Sequence, residues 1–241
     1  MAHLHEITFY KSKNTTMTME HLVYSLLGGW YHNGQILNDN YVYEKDGAYV
    51  AYVSTDDVNS LDEKYANEYV RKAMEGVSYH IKYCGELAES KGCCSCKESS
   101  CYELYSDTCN ASPIICGNCQ LPVPLYRLPR PEGDKDYFRL INWTEMYMHI
   151  KGLWITSHHD RYTYRQLTQI DSVLIKEGRE ICREMEKTLC KPVYYNISYP
   201  KRIPNVCPSC GKKWNRIDNP SSKEYICEAC RLIGISGNVG E

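Results

Sequence analysis

The sequence predicts an α+β chain, and three observations carry that prediction. Strand-like and helix-like runs alternate through the first 85 or so residues, closely spaced cysteines mark two later stretches, and helical periodicity fills the segment between them. The composition is that of a globular protein, 43% hydrophobic and 24% charged over 241 residues, long enough to bury a sizeable core.

The first strand is "HEITFY", whose apolar and polar residues alternate. In "TMEHLVYSLLGGWY" Leu22, Leu26 and Trp30 recur one helical turn apart behind Thr18, a capping residue. "NDNYVYEKDGAYVAYVS" holds two Tyr/Val-rich runs joined through Asp46-Gly47, a hairpin signal. "SLDEKYANEYVRKAMEG" has Ser60 and Glu63 at capping-box spacing and stops at Gly76, which predicts a helix opening at Ser60. "VSYHIKYC" alternates again. The resulting β-α-β-β-α-β order predicts a ferredoxin-like domain over residues 1–88, an architecture that carries no single function.

Residues 89–131 turn to Cys, Ser and Pro, with the extended strip "QLPVPLYRLPRP" at their end. Residues 132–200 read as a helical region with a closing strand. "YFRLINWTEMYMHIKGLW" and "DSVLIKEGREICREMEKTLC" are the helices, Lys191-Pro192 stops the second, and "PVYYNISY" is the strand. Residues 201–241 form a separate cysteine unit.

In that last unit Cys207, Cys210, Cys227 and Cys230 are spaced C-x2-C-x16-C-x2-C. Two short knuckles each present two thiolates to one tetrahedral ion, which predicts a zinc ribbon. Four cysteines close the coordination shell, so the ion is expected to be structural. In the middle segment Cys116 and Cys119 form one knuckle that needs a partner. "GCCSCKESSC" supplies it as Cys93 with Cys96, as Cys94 with Cys96, or as Cys96 with Cys101; Cys96 belongs to every version. A second structural zinc ion is therefore expected. Cys84, Cys101, Cys109, Cys182 and Cys190 are expected to be packing residues.

Together "NGQIL", "SPIICGNCQLPVPLYRLP", "YRQLTQIDSVLIKEGREIC", "KPVYYNISY" and "CPSCGKKW…YICEACRL" resemble the bacterial zinc-ribbon-containing proteins of uncharacterised function, described as candidate nucleic-acid binders. The resemblance spans nearly the whole chain. It implies a C-x-C first half-site, Cys94 with Cys96, and hence a ligand set of Cys94, Cys96, Cys116 and Cys119.

Enzyme chemistry is not expected. The sequence has no P-loop, dinucleotide fingerprint, HExxH or nucleophile elbow, and "SHHDR" with His158, His159 and Asp160 reads as a helix cap beside surface histidines. The N-terminus has no signal-like apolar run and no segment is long and apolar enough to span a bilayer, so a cytoplasmic protein without membrane contact is expected. Fourteen cysteines in such a chain are read as metal ligands and thiols. The formal charge is −2, divided as 7 basic against 11 acidic side chains over 1–83, 14 against 15 over 84–199 and 7 against 4 over 200–241. An acidic, Tyr-rich N-terminal region points to recognition of a partner protein, in an adaptor or neutralising role. The alternative is nucleic-acid binding through the ribbon, with Lys212, Lys213 and Arg216 on phosphates and Trp214 for stacking.

Overall fold

The computed structural model describes residues 2–12, 15–37, 40–87, 92–106, 112–131, 135–157, 160–200, 202–219 and 222–236. They form two compact units: one chiefly of residues 1–95 with the strip 119–138, the other chiefly of residues 139 onward with two short strands from the Cys-rich segment.

In the first unit β1 (His3–Lys11), α1 (Met19–His32), β2 (Tyr41–Lys45), β3 (Ala48–Thr55), α2 (Glu68–Met74) and β4 (Val77–Glu86) follow in order. The strands form an antiparallel sheet ordered β2-β3-β1-β4. Alternation selects its core face. Ile7 and Phe9 of β1, Ala51 and Val53 of β3 and Val77 of β4 are buried against Leu22, Val23, Leu26 and Trp30 of α1 and Val70 of α2. Thr18 caps α1, its side chain accepting from the His21 N–H at 3.3 Å.

The second helix departs from the sequence expectation. It begins at Glu68, with the Asn67 side chain accepting from the Val70 N–H at 2.9 Å. Ser60 is fully buried, and residues 63–65 make only a single 3₁₀ turn. The backbone at Ala66 is extended (φ −61°, ψ 129°), so no helix can run from Ser60 into α2.

The strip after the cysteines also belongs to the first unit. Leu125–Arg127 make a 3₁₀ turn with Leu125 and Tyr126 buried. Tyr126 Oη donates to the Asp57 carboxylate, which also pairs with Arg127. Gly34 (φ +71°) sits directly beneath it: a β-carbon there would lie 2.4 Å from Leu125 Cβ.

The second unit is built on one six-stranded sheet, ordered β6-β5-β7-β10-β9-β8. Its strands are β5 (Tyr102–Leu104), β6 (Ile114–Cys116), β7 (Val193–Tyr199), β8 (Asn215–Asn219), β9 (Ser222–Cys227) and β10 (Leu232–Ser236). β7 runs parallel to both β5 and β10; the remaining pairings are antiparallel. Strands of segments 89–131 and 201–241 thus share hydrogen bonds with the closing strand of 132–200. Short hairpins left alone expose open edges, and β7 satisfies one on each side.

Over this sheet lie α3 (Phe138–Thr156), α4 (Arg161–Thr168) and α5 (Val173–Leu189). Ser172 caps α5 and Asp160 caps α4, each side-chain oxygen accepting an N–H three residues on. Gly178 lets α5 close on the sheet, since a β-carbon there would meet Tyr195 at 2.2 Å and the Trp143 indole at 2.8 Å. Trp143 Nε1 donates to the Leu174 carbonyl at 2.9 Å, and Arg139 binds Glu177 and Glu184 at 2.6 Å, locking α3 to α5. Among the described residues no helix is long and apolar enough to cross a membrane.

Candidate metal centres

Two groups of cysteines converge. The sulfurs of Cys207, Cys210, Cys227 and Cys230 all lie within 4.8 Å of one another, and so do those of Cys94, Cys96, Cys116 and Cys119.

The C-terminal group is assembled by two tight turns. The Gly211 N–H donates to the Cys207 carbonyl at 2.9 Å and the Cys207 N–H to the Lys212 carbonyl at 2.8 Å, closing the first knuckle. The second follows β9, where Glu228–Cys230 form a 3₁₀ turn that Arg231 ends in the left-handed region (φ 52°). Arg231 then turns its guanidinium onto Glu186, 3.0 Å away, and over the Tyr194 ring. Backbone N–H groups point at the sulfurs, as they do where thiolates must be stabilised. The Lys212 N–H is the main reason that the Cys210 thiol is drawn down to about 7. Burial works the other way at Cys207 and Cys227, pushing the latter up to about 12. Four crowded sulfurs cannot all ionise unaided, and a divalent cation would supply the missing charge.

The donor set fits such an ion. A tetrahedral centre with metal–sulfur bonds of about 2.3 Å requires sulfurs about 3.8 Å apart. The Cys210 and Cys227 sulfurs are separated by 3.8 Å.

In the other group the Cys94 N–H donates to the Pro122 carbonyl at 2.7 Å, and the Cys94 carbonyl accepts from Arg127 Nη1 at 2.9 Å. Cys116 closes β6 opposite Tyr102 of β5, its sulfur 3.2 Å from Ser99 Oγ. Asn118 pins the facing loop through the Ser100 N–H at 3.1 Å and the Glu98 carbonyl at 3.2 Å. Of the three half-sites open to the sequence, the structure gathers Cys94 with Cys96. Cys93 and Cys101 stay outside the group, and burial raises both of their thiols.

The remaining thiols divide. Cys182 is buried in α5, and burial pushes it far above the ordinary thiol range, as an inert packing residue requires. Cys84 and Cys190 are exposed, contrary to the packing role expected for them. Cys109, His158 and His159 lie outside the described residues.

Beside the C-terminal group Lys212, Lys213 and Arg216 are exposed. Trp214 is only 3% exposed, and its ring lies so close to Gly234 that a β-carbon there would be 3.2 Å from it. The stacking role expected of it needs at least one open ring face, and this indole is enclosed.

Sequence reasoning did not single out the polar residues, two of them buried, that hold the Cys94 side of the first group. Asp57, Tyr126 and Arg127 form one hydrogen-bonded cluster that ends on the Cys94 carbonyl. Such outer partners orient metal ligands. The available signal was "PLYRLP", which puts Tyr and Arg inside an otherwise apolar, proline-stiffened strip.

Residues 96–198 match a family model described as "Domain of unknown function (DUF2310)", and residues 2–86 match "Domain of unknown function (DUF8589)". The C-terminal cysteine group lies beyond both matches. Two similar proteins of Haemophilus influenzae (strain Rd) each carry the description "Uncharacterized protein". One is 26% identical over 243 residues, 92% of each chain; the other is 28% identical over 142 residues, 55% of this chain and 68% of that one. No solved structure matches this chain.

Proposed function

We propose that the chain is a non-enzymatic recognition protein built around two structural zinc ions and that its target is a partner protein. The observation that carries the metal half is that each group brings four thiol sulfurs within 4.8 Å of one another. Thiolate ligands select soft, tetrahedral ions, of which zinc needs no redox partner. With four sulfurs bound, no position remains for an activated water, which argues for scaffold over catalysis. Reduced thiols of this number suit the cytoplasm.

The partner half rests on the first unit, which we read as a ferredoxin-like domain because its strand order and its two helices on one face have that arrangement. The opposite face carries Tyr10, Tyr41 and Tyr43, exposed by 51%, 75% and 42%, with Glu6 and Tyr52 hydrogen-bonded at 2.6 Å between them. Rigid amphipathic rings over an acidic segment suit a protein surface of opposite charge. For the ribbon as a nucleic-acid surface, Lys212, Lys213 and Arg216 remain in favour, but Arg231 is engaged by Glu186 and Trp214 is enclosed.

Affinity purification of the tagged chain, with and without nuclease, tests the choice. A co-purifying protein that survives nuclease and is lost from a Tyr41→Ser/Tyr43→Ser variant supports the proposal. Nucleic acid that disappears with nuclease, with salt and in a Lys212→Ala/Lys213→Ala/Arg216→Ala variant would replace it with the ribbon alternative.

A further inference from the structure

The first unit contains a cleft of about 470 Å³ between the turn leading into α2 and the strip after Tyr126. That volume lies in the range of small-molecule sites. Four cations line it, Lys64, Arg71, Arg130 and Lys135, against the single carboxylate of Glu68. This is a concentration of positive charge in a segment whose own balance is acidic, and Tyr65 and Tyr126, with ring centroids 4.5 Å apart, form part of the wall.

The cleft is built, not incidental. Buried amides pin both sides of it. Asn33, fully buried, donates to the Tyr65 carbonyl at 2.8 Å and accepts from Arg130 Nη2; Asn67 donates to the Lys135 carbonyl at 3.0 Å. Gln35, 1% exposed, holds the Ser60 carbonyl at 2.7 Å. Polar walls fixed at this cost are characteristic of preorganised binding sites.

Two of the four cations are already neutralised, Lys64 by Asp62 at 2.8 Å and Lys135 by Glu68. Arg71 makes no side-chain hydrogen bond or ion pair among the described residues, and Arg130 Nε is buried without a hydrogen-bond partner among them. A buried guanidinium N–H left unpaired is costly, and an incoming anion removes the cost. Paired guanidinium forks match the oxygens of a phosphate, which accepts from several directions at once.

From these observations we infer that the cleft binds a phosphomonoester of a small molecule, its phosphate on Arg71 and Arg130 and its body against the tyrosine wall. The inference concerns the first unit alone and does not depend on the metals or on the partner protein.

The test is calorimetric titration of the full-length protein with AMP, ribose 5-phosphate, orthophosphate and adenosine. Binding of AMP or ribose 5-phosphate that weakens with salt, with adenosine silent, is the expected result. Arg71→Gln should weaken that binding about tenfold or more, the loss of a charge-assisted hydrogen bond, while Arg161→Gln on α4 should leave it unchanged. Arg130→Gln should do the same, but it also releases Asn33; Arg71 makes no side-chain hydrogen bond or ion pair among the described residues, so its variant separates ligand loss from misfolding. Failure of both phosphomonoesters to bind at millimolar concentration overturns the inference. So does equal binding of adenosine, or an Arg71→Gln affinity within twofold of the parent.

Discussion

Alanine at Gly34 tests whether the strip after the cysteines is an integral part of the first unit. Gly34 has φ +71°, and its missing β-carbon would fall 2.4 Å from Leu125 Cβ and 3.2 Å from the Tyr126 nitrogen. Neither neighbour is the tip of a flexible side chain: one is a β-carbon of the 3₁₀ turn and the other is backbone. The left-handed conformation alone costs an alanine about 1–2 kcal/mol. Forcing the turn outward adds the usual cost of overpacking, about 1–3 kcal/mol, so a total of about 2–5 kcal/mol is expected. Gly47 provides the control. It has φ +78° in the β2–β3 hairpin, but nothing lies within 4 Å of its added β-carbon, so Gly47→Ala should cost only the conformational part. Urea unfolding of the two variants, compared with the parent, gives the difference directly. A Gly34→Ala loss equal to that of Gly47→Ala would refute the docking of Leu125–Arg127 on this turn.

Elemental analysis should find two zinc ions per chain; Cys94→Ser and Cys207→Ser should each lower the count by one, and Cys93→Ser should leave it at two. A full complement in Cys94→Ser with loss in Cys93→Ser would reassign the first ligand set. Arg127→Gln should destabilise the first unit by about 2 kcal/mol, because it strips the Asp57 carboxylate and the Cys94 carbonyl of a charged donor, and it should speed zinc loss to a chelator. Unchanged chelation kinetics would show that Arg127 does not orient Cys94. Burial, with His3 adding to it, holds His5 below the usual imidazole range, so the folded state keeps it neutral where the unfolded chain is protonated. Stability should therefore fall as pH drops below about 6.5, with the fall reduced in His5→Gln; a urea midpoint with the same pH slope in both proteins would count against it.

Much of this was legible where local chemistry decides the outcome. Knuckle spacing identified Cys207, Cys210, Cys227 and Cys230, since a tetrathiolate leaves its geometry in the sequence. Apolar periodicity located α1, α3 and α5 for the same reason. The start of α2 was not legible, because Ser60 and Asn67 are both good caps and only the buried amide contacts around Asn33 and Gln35 select the second. Nor could spacing choose Cys94 over Cys93, two adjacent thiols that differ only in which one the Pro122 and Arg127 hydrogen bonds turn inward. The shared six-stranded sheet was invisible for a broader reason: parallel pairing of β5, β7 and β10 joins segments far apart in sequence, and no local pattern records a partner.

That pairing sets an order of events during synthesis. Tyr102 pairs with Val193, so β5 waits for about ninety further residues, on the order of ten seconds at ordinary translation rates, before its partner strand exists. Throughout that interval the short β5–β6 hairpin has an open edge, and Cys116 and Cys119 with their loop stand ahead of the sheet that will carry them. A metal ion captured then would act as a clasp on the nascent chain, holding the hairpin in register until β7 emerges. Zinc supply would in that case govern the yield of folded protein more than the stability of the finished one.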